Sequence, residues 1–218
     1  MKKYRALFLD TDGTLLDTLQ DILNAVNFAL KGCGYDKQYS YEEGKKLIGG
    51  GAYVLAQRAI AFAHPSEKQY KEFEELFLKK YLELQDATTK PFDGLTELLL
   101  SIKDEYKLFI ISNKPQFLLD DIIKKTFPEG LFIDACGHKI GNPEKPDPIL
   151  INYLVDKYHL NKKECLFIGD SITDIQTAIN GNVDSCLVTY GYGVNIDSFK
   201  EKATYVANSV EDLSKLLK

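Results

Sequence analysis

Two carboxylates one residue apart, Asp10 and Asp12, stand in the pentapeptide Asp10-Thr11-Asp12-Gly13-Thr14, directly after the apolar run Ala6-Leu7-Phe8-Leu9. A short continuous apolar run reads as a strand buried on both faces, so both acids emerge at its carboxyl end into one crevice. Charge is costly there. Burial and mutual repulsion drive protons back onto such a pair unless a cation, a hydrogen-bond cradle or catalytic work accompanies it, and a divalent metal meets that demand most simply. Asp12-Gly13 is also a dipeptide that closes β-hairpins, so the pentapeptide alone leaves a plain turn open.

Further polar segments sit at comparable places. Ser112-Asn113-Lys114 follows the apolar run ending at Ile111, and Gly169-Asp170-Ser171-Ile172-Thr173-Asp174 follows the run ending at Ile168. The second of these sets two carboxylates four residues apart at a helix start. Glu144-Lys145-Pro146-Asp147-Pro148 precedes another helix, and its prolines fix Lys145 in an extended loop. Taken singly, Ser112 reads as a helix cap, Lys145 as a surface charge, and Asp170 with Asp174 as a cap and a solvated acid. Taken together, four strand-end segments converge on the crevice where open parallel sheets bind ligands.

The elements that must position them alternate between apolar runs and amphipathic stretches, the pattern of strand-helix-strand units in a parallel sheet. Ala6–Leu9, Leu108–Ile111, Leu131–Ile133, Leu166–Ile168, Ser185–Val188 and Thr204–Ala207 are the predicted strands, with helices over Gln116–Lys125, Asp147–Tyr158 and Ile172–Asn180 and a capped helix start at Ser209. Residues 18–88 show no strand pattern and read as several helices inserted after the first strand. Ser40-Tyr41-Glu42-Glu43 and Ser66-Glu67-Lys68-Gln69 are capping boxes opening two of them, and Thr88 to Gly94 is a polar, proline-interrupted return linker. The predicted organisation is a core of residues 1–17 and 89–218 with a helical unit over 18–88.

Composition bounds the function. A chain of 218 residues with 44% hydrophobic content has enough apolar side chains for a sizeable core. Its net charge of −5 argues against a general nucleic-acid surface, as does the lack of aromatics interleaved with basic residues, so an anionic ligand must be held locally. Met1-Lys2-Lys3 is basic, but the apolar stretch after it is short and broken by Asp10, so neither a secretion signal nor a membrane span is expected. A cytoplasmic protein is the expectation. Cys33, Cys136, Cys165 and Cys186 are scattered without a CxxC pair and read as reduced thiols, while His64, His138 and His159 read as packing or surface residues. No feature of the sequence sets an oligomeric state.

With these four motifs in hand, the chain resembles the haloacid dehalogenase superfamily of phosphotransferases: Asp10-Thr11-Asp12-Gly13-Thr14, Ser112, Lys145 before Pro146, and Gly169-Asp170 with Asp174. Thr11 departs from the bulky apolar residue usual between the two acids; its side chain is expected to point away from the crevice. The resemblance implies an α/β fold, a doubly wound Rossmann-like parallel sheet of order 3-2-1-4-5 with the helical insertion as an α-helical cap. It implies Asp10 as nucleophile forming an aspartyl-phosphate, Asp12 as acid and base, and Lys145 as the balancing cation. Mg²⁺ is the implied cofactor, bound by Asp10, the backbone carbonyl of Asp12 and Asp170, with Asp174 orienting a water or Lys145 from behind. Thr14, Ser112 and Asn113 are expected on the substrate side.

Leu47-Ile48-Gly49-Gly50-Gly51-Ala52, with Leu55 and Arg58, places three glycines between helical patterns, where a backbone can approach an anion closely or simply hinge. Ile48-Gly49-Gly50-Gly51 with Leu55 and Arg58, together with Ser112-Asn113-Lys114-Pro115, looks like the phosphoglycolate phosphatase branch. Gly50 and Arg58 are therefore expected at the substrate, a small phosphorylated metabolite, with 2-phosphoglycolate leading and pyrophosphate as an alternative. A β-phosphoglucomutase usually carries His where this chain has Ile22. A dehalogenase needs neither Asp12 nor Mg²⁺, and an idle metal-binding regulatory module has no need of the complete acid and lysine set.

Overall fold

The computed structural model describes residues 3–218; Met1 and Lys2, part of the basic start weighed above, lie outside the described residues. Strand β1, Ala6–Leu9, is buried along its whole length. It runs to the acidic pentapeptide and a two-residue strand β2, Leu16–Asp17, before helix α1, Leu19–Gly32. Helices α2 (Tyr41–Gly44), α3 (Gly51–Ile60) and α4 (Glu67–Leu84) follow, and Ser40 and Ser66 each close a reciprocal capping box with Glu43 and Gln69 as their sequences require. The chain returns through β3, Lys90–Pro91, which pairs antiparallel with β2.

The remaining elements are α5 (Leu95–Ile102), β4 (Lys107–Pro115), α6 (Gln116–Thr126), β5 (Asp134–His138), α7 (Ile149–Lys157), β6 (Cys165–Gly169), α8 (Ile172–Gly181), β7 (Asp184–Val188), β8 (Tyr205–Ala207) and α9 (Val210–Leu217). They form one parallel sheet in the order β5-β4-β1-β6-β7-β8. Numbered along the chain, its first five strands stand in the expected order 3-2-1-4-5, with β8 added at the edge.

Side-chain alternation divides the core into two layers. Leu7, Leu9, Leu108, Ile110, Leu166 and Ile168 pack on one face with α5, α6 and α9, while Ala6, Phe8, Phe109, Ile111, Cys165 and Phe167 pack on the other with α7 and α8. Phe8 sits between the rings of Phe109 and Phe167, at centroid separations of 5.8 and 6.5 Å. Burial on both faces explains why the central strands read as unbroken apolar runs rather than alternating ones.

The expectation of a strand at Leu131–Ile133 is corrected: those residues form an irregular stretch leading into the sheet, and β5 begins at Asp134. Leu131 and Phe132 pack against the core below the sheet, Phe132 edge-on to Phe127, whereas β5 is an edge strand that needs only a thin apolar character. The inserted helices surround a second apolar cluster, built on Leu23, Val26, Leu30, Leu55, Phe73, Phe77 and Tyr81 and joined by Leu118 of α6 and Tyr192.

Buried hydrogen bonds tie the start of the inserted segment to the rest of the chain. The carboxylate of Asp21 in α1, fully buried, accepts hydrogen bonds from the backbone N–H and the hydroxyl of both Thr88 and Thr89 on the returning chain. The hydroxyl of Tyr192 accepts from the N–H groups of Thr18 and Leu19, two orphan donors at the start of α1, and donates to Asp17. Among the described residues no helix is long and apolar enough to cross a membrane.

Candidate active site

Asp10 is the first residue beyond β1, its N–H bonded to the carbonyl of Ile168 on the neighbouring strand. The backbone then turns sharply at Gly13, whose φ of +80° suits glycine. A Cβ there would come within 2.4 Å of an Asp170 carboxylate oxygen, so only glycine lets the two strand ends approach this closely.

At the centre lies a buried ammonium. Lys145 Nζ is 2.7 Å from Asp10 Oδ1 and 2.7 Å from Asp174 Oδ1. Burial opposes its charge, but Asp10 and Asp174 outweigh that and hold its pKa above the ordinary value. Asn113 fixes its backbone on both sides: the side-chain oxygen accepts from Lys145 N–H at 2.8 Å and the side-chain nitrogen donates to Lys145 O at 3.1 Å. Asp174 is fully buried; its other oxygen accepts from Ser171 N–H and Oγ in the capping box that starts α8.

Asp170 accepts from Tyr192 N–H at 2.7 Å and from the Thr14 hydroxyl at 3.4 Å. Carboxylate oxygens of Asp10, Asp170 and Asp174 all lie within 4.8 Å of one another. Burial first, then the neighbouring Asp174 charge, pushes Asp10 up to about 7 and Asp170 well above the usual carboxylate range. With Asp12 the site gathers four carboxylates, against the two ammonium groups of Lys145 and Lys114 in contact with them. Ionised together, the acids would outnumber the ammonium groups in a buried place, and that excess is what drives protons back onto Asp10 and Asp170. A divalent cation with a preference for hard oxygen ligands fits both that charge and that donor set.

The cluster opens into a cavity of about 320 Å³ between the sheet and the inserted helices. Asp10, Asp12, Ser112, Asn113, Lys145 and Asp170 line its sheet side; Ile22, Ile48, Gly50, Leu55, Arg58 and Tyr81 line the helical side.

The haloacid dehalogenase-like hydrolase family profile matches residues 7–188. The chain is 28% identical over 215 residues to the phosphoglycolate phosphatase of Vibrio parahaemolyticus, covering 96% of this chain and 94% of that protein. It is 30% identical over 203 residues to that of Colwellia psychrerythraea, covering 90% and 89%. The crystal structure of a predicted phosphoglycolate phosphatase from Haemophilus somnus 129PT superposes with a TM-score of 0.93 at 30% identity, over the full length of both chains. The chain belongs to the haloacid dehalogenase-like hydrolase family.

In this hydrolase Asp10, Asp12, Ser112, Asn113, Lys145 and Asp170 meet at one cavity, and Asp174 stands behind Lys145. Thr14 is placed elsewhere: buried, it lies behind Asp170 and donates its hydroxyl to that carboxylate rather than lining the cavity. Arg58 reaches the cavity but spends Nη1 on the carbonyls of Leu47, Ile48 and Gly49, holding the glycine loop in place. Gly50 lines the cavity within that loop. Thr11 is buried and absent from the cavity wall, as its position between the acids requires.

Three residues of the site had no role assigned from the sequence: Lys114, quoted there only within Ser112-Asn113-Lys114-Pro115, and Tyr81 and Tyr192. Lys114 is buried, with Nζ 3.0 Å from Asp12 Oδ1 and donating to the Tyr81 hydroxyl at 2.6 Å. Burial first and the Asp12 charge second raise the Tyr81 phenol well above its ordinary pKa, so it stays protonated. Tyr192 joins Asp170 to the start of α1. The one local signal for it is an aromatic set between Gly191 and Gly193, where the backbone passes close to Gly13 and Asp170.

Proposed function

We propose that this hydrolase is a Mg²⁺-dependent phosphatase that cleaves a small phosphomonoester through an aspartyl-phosphate on Asp10, with 2-phosphoglycolate as the leading substrate. The observation that carries the reading is the Lys145 ammonium held 2.7 Å from Asp10 beside an acid cluster that opens to a cavity. A cation so placed neutralises charge that builds as an anionic carboxylate meets an anionic phosphoryl group in a site with little bulk water. Curated relatives named phosphoglycolate phosphatase, matched over nearly the whole chain, support the substrate class.

Asp10 and Asp170, with the backbone carbonyl of Asp12, are the residues that would hold the metal. Bound there, Mg²⁺ supplies the positive charge that keeps Asp10 ionised and screens it from the phosphate. An Asp10 carboxylate oxygen bonds to phosphorus while the bond from phosphorus to the ester oxygen breaks. Asp12 gives a proton to that leaving oxygen and takes one from the water that hydrolyses the aspartyl-phosphate. Ser112 and nearby backbone amides hydrogen-bond the phosphoryl oxygens. Asp174 keeps Lys145 in line.

Residues 18–88 act in this reading as a cap over the cavity, with 1–17 and 89–218 as the catalytic core. Their apolar cluster, drawn from these helices with Leu118 and Tyr192 added from the core, supports that division. Ile22, apolar and on the cavity wall, carries no proton, which favours hydrolysis over a mutase. Four thiols without disulfide partners suit a cytoplasmic enzyme.

Phosphate release from 2-phosphoglycolate, pyrophosphate, glucose 1-phosphate and an aryl phosphate, with and without Mg²⁺, tests the reading. Metal-dependent hydrolysis of a phosphomonoester, with a phosphoryl label recovered on Asp10 after acid quench, is the expected result. No hydrolysis of any of them would leave the idle metal-binding module standing.

A further inference from the structure

We infer that Lys114 is a positioning residue for Asp12, and that Tyr81 of the inserted helix α4 braces it, so that the aim of the acid depends on how the helical unit sits over the cavity. The inference rests on the reading of Asp12 as the proton donor to the leaving oxygen.

Lys114 lies at the end of β4 with 2% of its side chain exposed. An ammonium so deeply placed needs partners, and it has two: Asp12 Oδ1 at 3.0 Å and the Tyr81 hydroxyl at 2.6 Å, with the Tyr81 ring centroid 4.4 Å away. The partners belong to different parts of the fold. Asp12 follows β1 of the sheet, and Tyr81 sits in the apolar cluster of the inserted helices, stacked on Phe77 at 5.7 Å.

Asp12 Oδ1 is buried and accepts no hydrogen bond among the described residues, so the Lys114 ammonium meets it as an ion pair, whereas the side chain as a whole keeps 19% exposure and lines the cavity. The carboxyl is thereby held by one oxygen and offered to the cavity by the rest. Lys145, the other buried ammonium, is committed to Asp10 and Asp174, so the two lysines divide the labour: one serves the attacking acid, the other the acid that serves the leaving group. In the step concerned, the bond from phosphorus to the ester oxygen breaks with its electron pair going to oxygen, and the proton of Asp12 goes to that oxygen. The resulting Asp12 carboxylate remains paired with the Lys114 ammonium.

Leaving-group chemistry separates this role from others. A nitrophenolate departs without a proton, while an alkoxide needs one. The experiment compares kcat/KM, which reports the steps up to release of the leaving group, for ethyl phosphate and p-nitrophenyl phosphate in wild type, Lys114→Met, Lys114→Arg and Tyr81→Phe. Wild-type turnover of both esters in Mg²⁺ secures the underlying reading before the variants are compared.

Lys114→Met is expected to lose about 10²-fold on ethyl phosphate, the scale of general-acid catalysis, and under about threefold on p-nitrophenyl phosphate. Tyr81→Phe is expected to shift the same ratio in the same direction by a smaller factor, and Lys114→Arg to restore part of it. Parallel losses on both esters, or a KM rise shared by both, would assign Lys114 to phosphate binding or to packing and overturn the inference. If Lys114→Met does not fold, Tyr81→Phe decides: an unchanged ratio in that variant overturns the inference as well.

Discussion

Asn113 grips Lys145 by both of its backbone polar groups, accepting from the N–H at 2.8 Å and donating to the carbonyl at 3.1 Å. The residue that carries the positive charge is thus placed by a neighbouring strand end and not by its own loop alone.

Asn113→Ala removes both bonds and leaves the Lys145 amide and carbonyl without those partners. A displacement of the ammonium by about 1 Å costs on the order of 10²-fold in turnover. Steady-state kinetics on a phosphomonoester is expected to show that loss in kcat, with Lys145→Ala losing at least as much because two anions then face each other.

Asp10→Asn is expected to abolish turnover and to change the pH dependence of stability in metal-free protein. Burial and Asp174 lift Asp10 from its ordinary 3.8 to about 7 in the folded chain. The folded chain therefore holds this proton more tightly, so the associated stability is fully present below about pH 4 and is lost as pH rises through about 7. Thermal melts in chelator are expected to show wild type losing ground to Asp10→Asn across that window.

Divalent metal is expected to stabilise the fold by binding the ionised acids that, without it, burial and mutual repulsion push toward protonation. Linkage gives about 2.7 kcal/mol at a free Mg²⁺ concentration one hundred times the dissociation constant. For a chain of this size each kcal/mol raises Tm by about 2–4 °C, so a rise of about 5–10 °C is expected. Asp170→Asn should shrink it; an equal rise in that variant would place the metal elsewhere.

Tyr192→Phe deletes the hydroxyl that accepts from Thr18 and Leu19 and donates to Asp17. Buried groups left without partners cost about 1–3 kcal/mol. Urea denaturation is expected to show a lower midpoint with an unchanged slope.

Gly51→Ala strains a residue at φ +80° and drives a Cβ to 2.6 Å from Glu144 Oε1 and 3.1 Å from the Asn113 carbonyl. The left-handed conformation alone costs about 1–2 kcal/mol for a residue with a Cβ. Because the contact lies between the inserted helices and the sheet, KM is expected to rise more than kcat falls.

Asp10, Asp12 and Asp170 were legible because each follows the end of an apolar run, where a charge has no packing purpose, and Lys145 because the prolines after it fix its loop before a helix. The central strands were legible for the complementary reason: both faces are covered, so nearly every side chain is apolar. Strand β5 was displaced by three residues because its Asp134-Ala135-Cys136-Gly137-His138 sequence is held by pairing at the sheet edge, while the more apolar Leu131 and Phe132 beside it serve packing. Lys114, quoted in its motif, had no role of its own because a lysine after Ser-Asn looks like any surface charge until Tyr81, distant in sequence, is brought against it. Strands β2 and β3, two residues each, are too short to leave a periodicity.

Asp21 ties the outgoing helix to Thr88 and Thr89 of the incoming chain, in a spot closed to solvent. The two tethers that join the helical unit to the sheet are thereby fused near their roots into a single pivot. A swing of that unit about this pin is expected to carry the glycine loop and Tyr81 toward or away from the acids together.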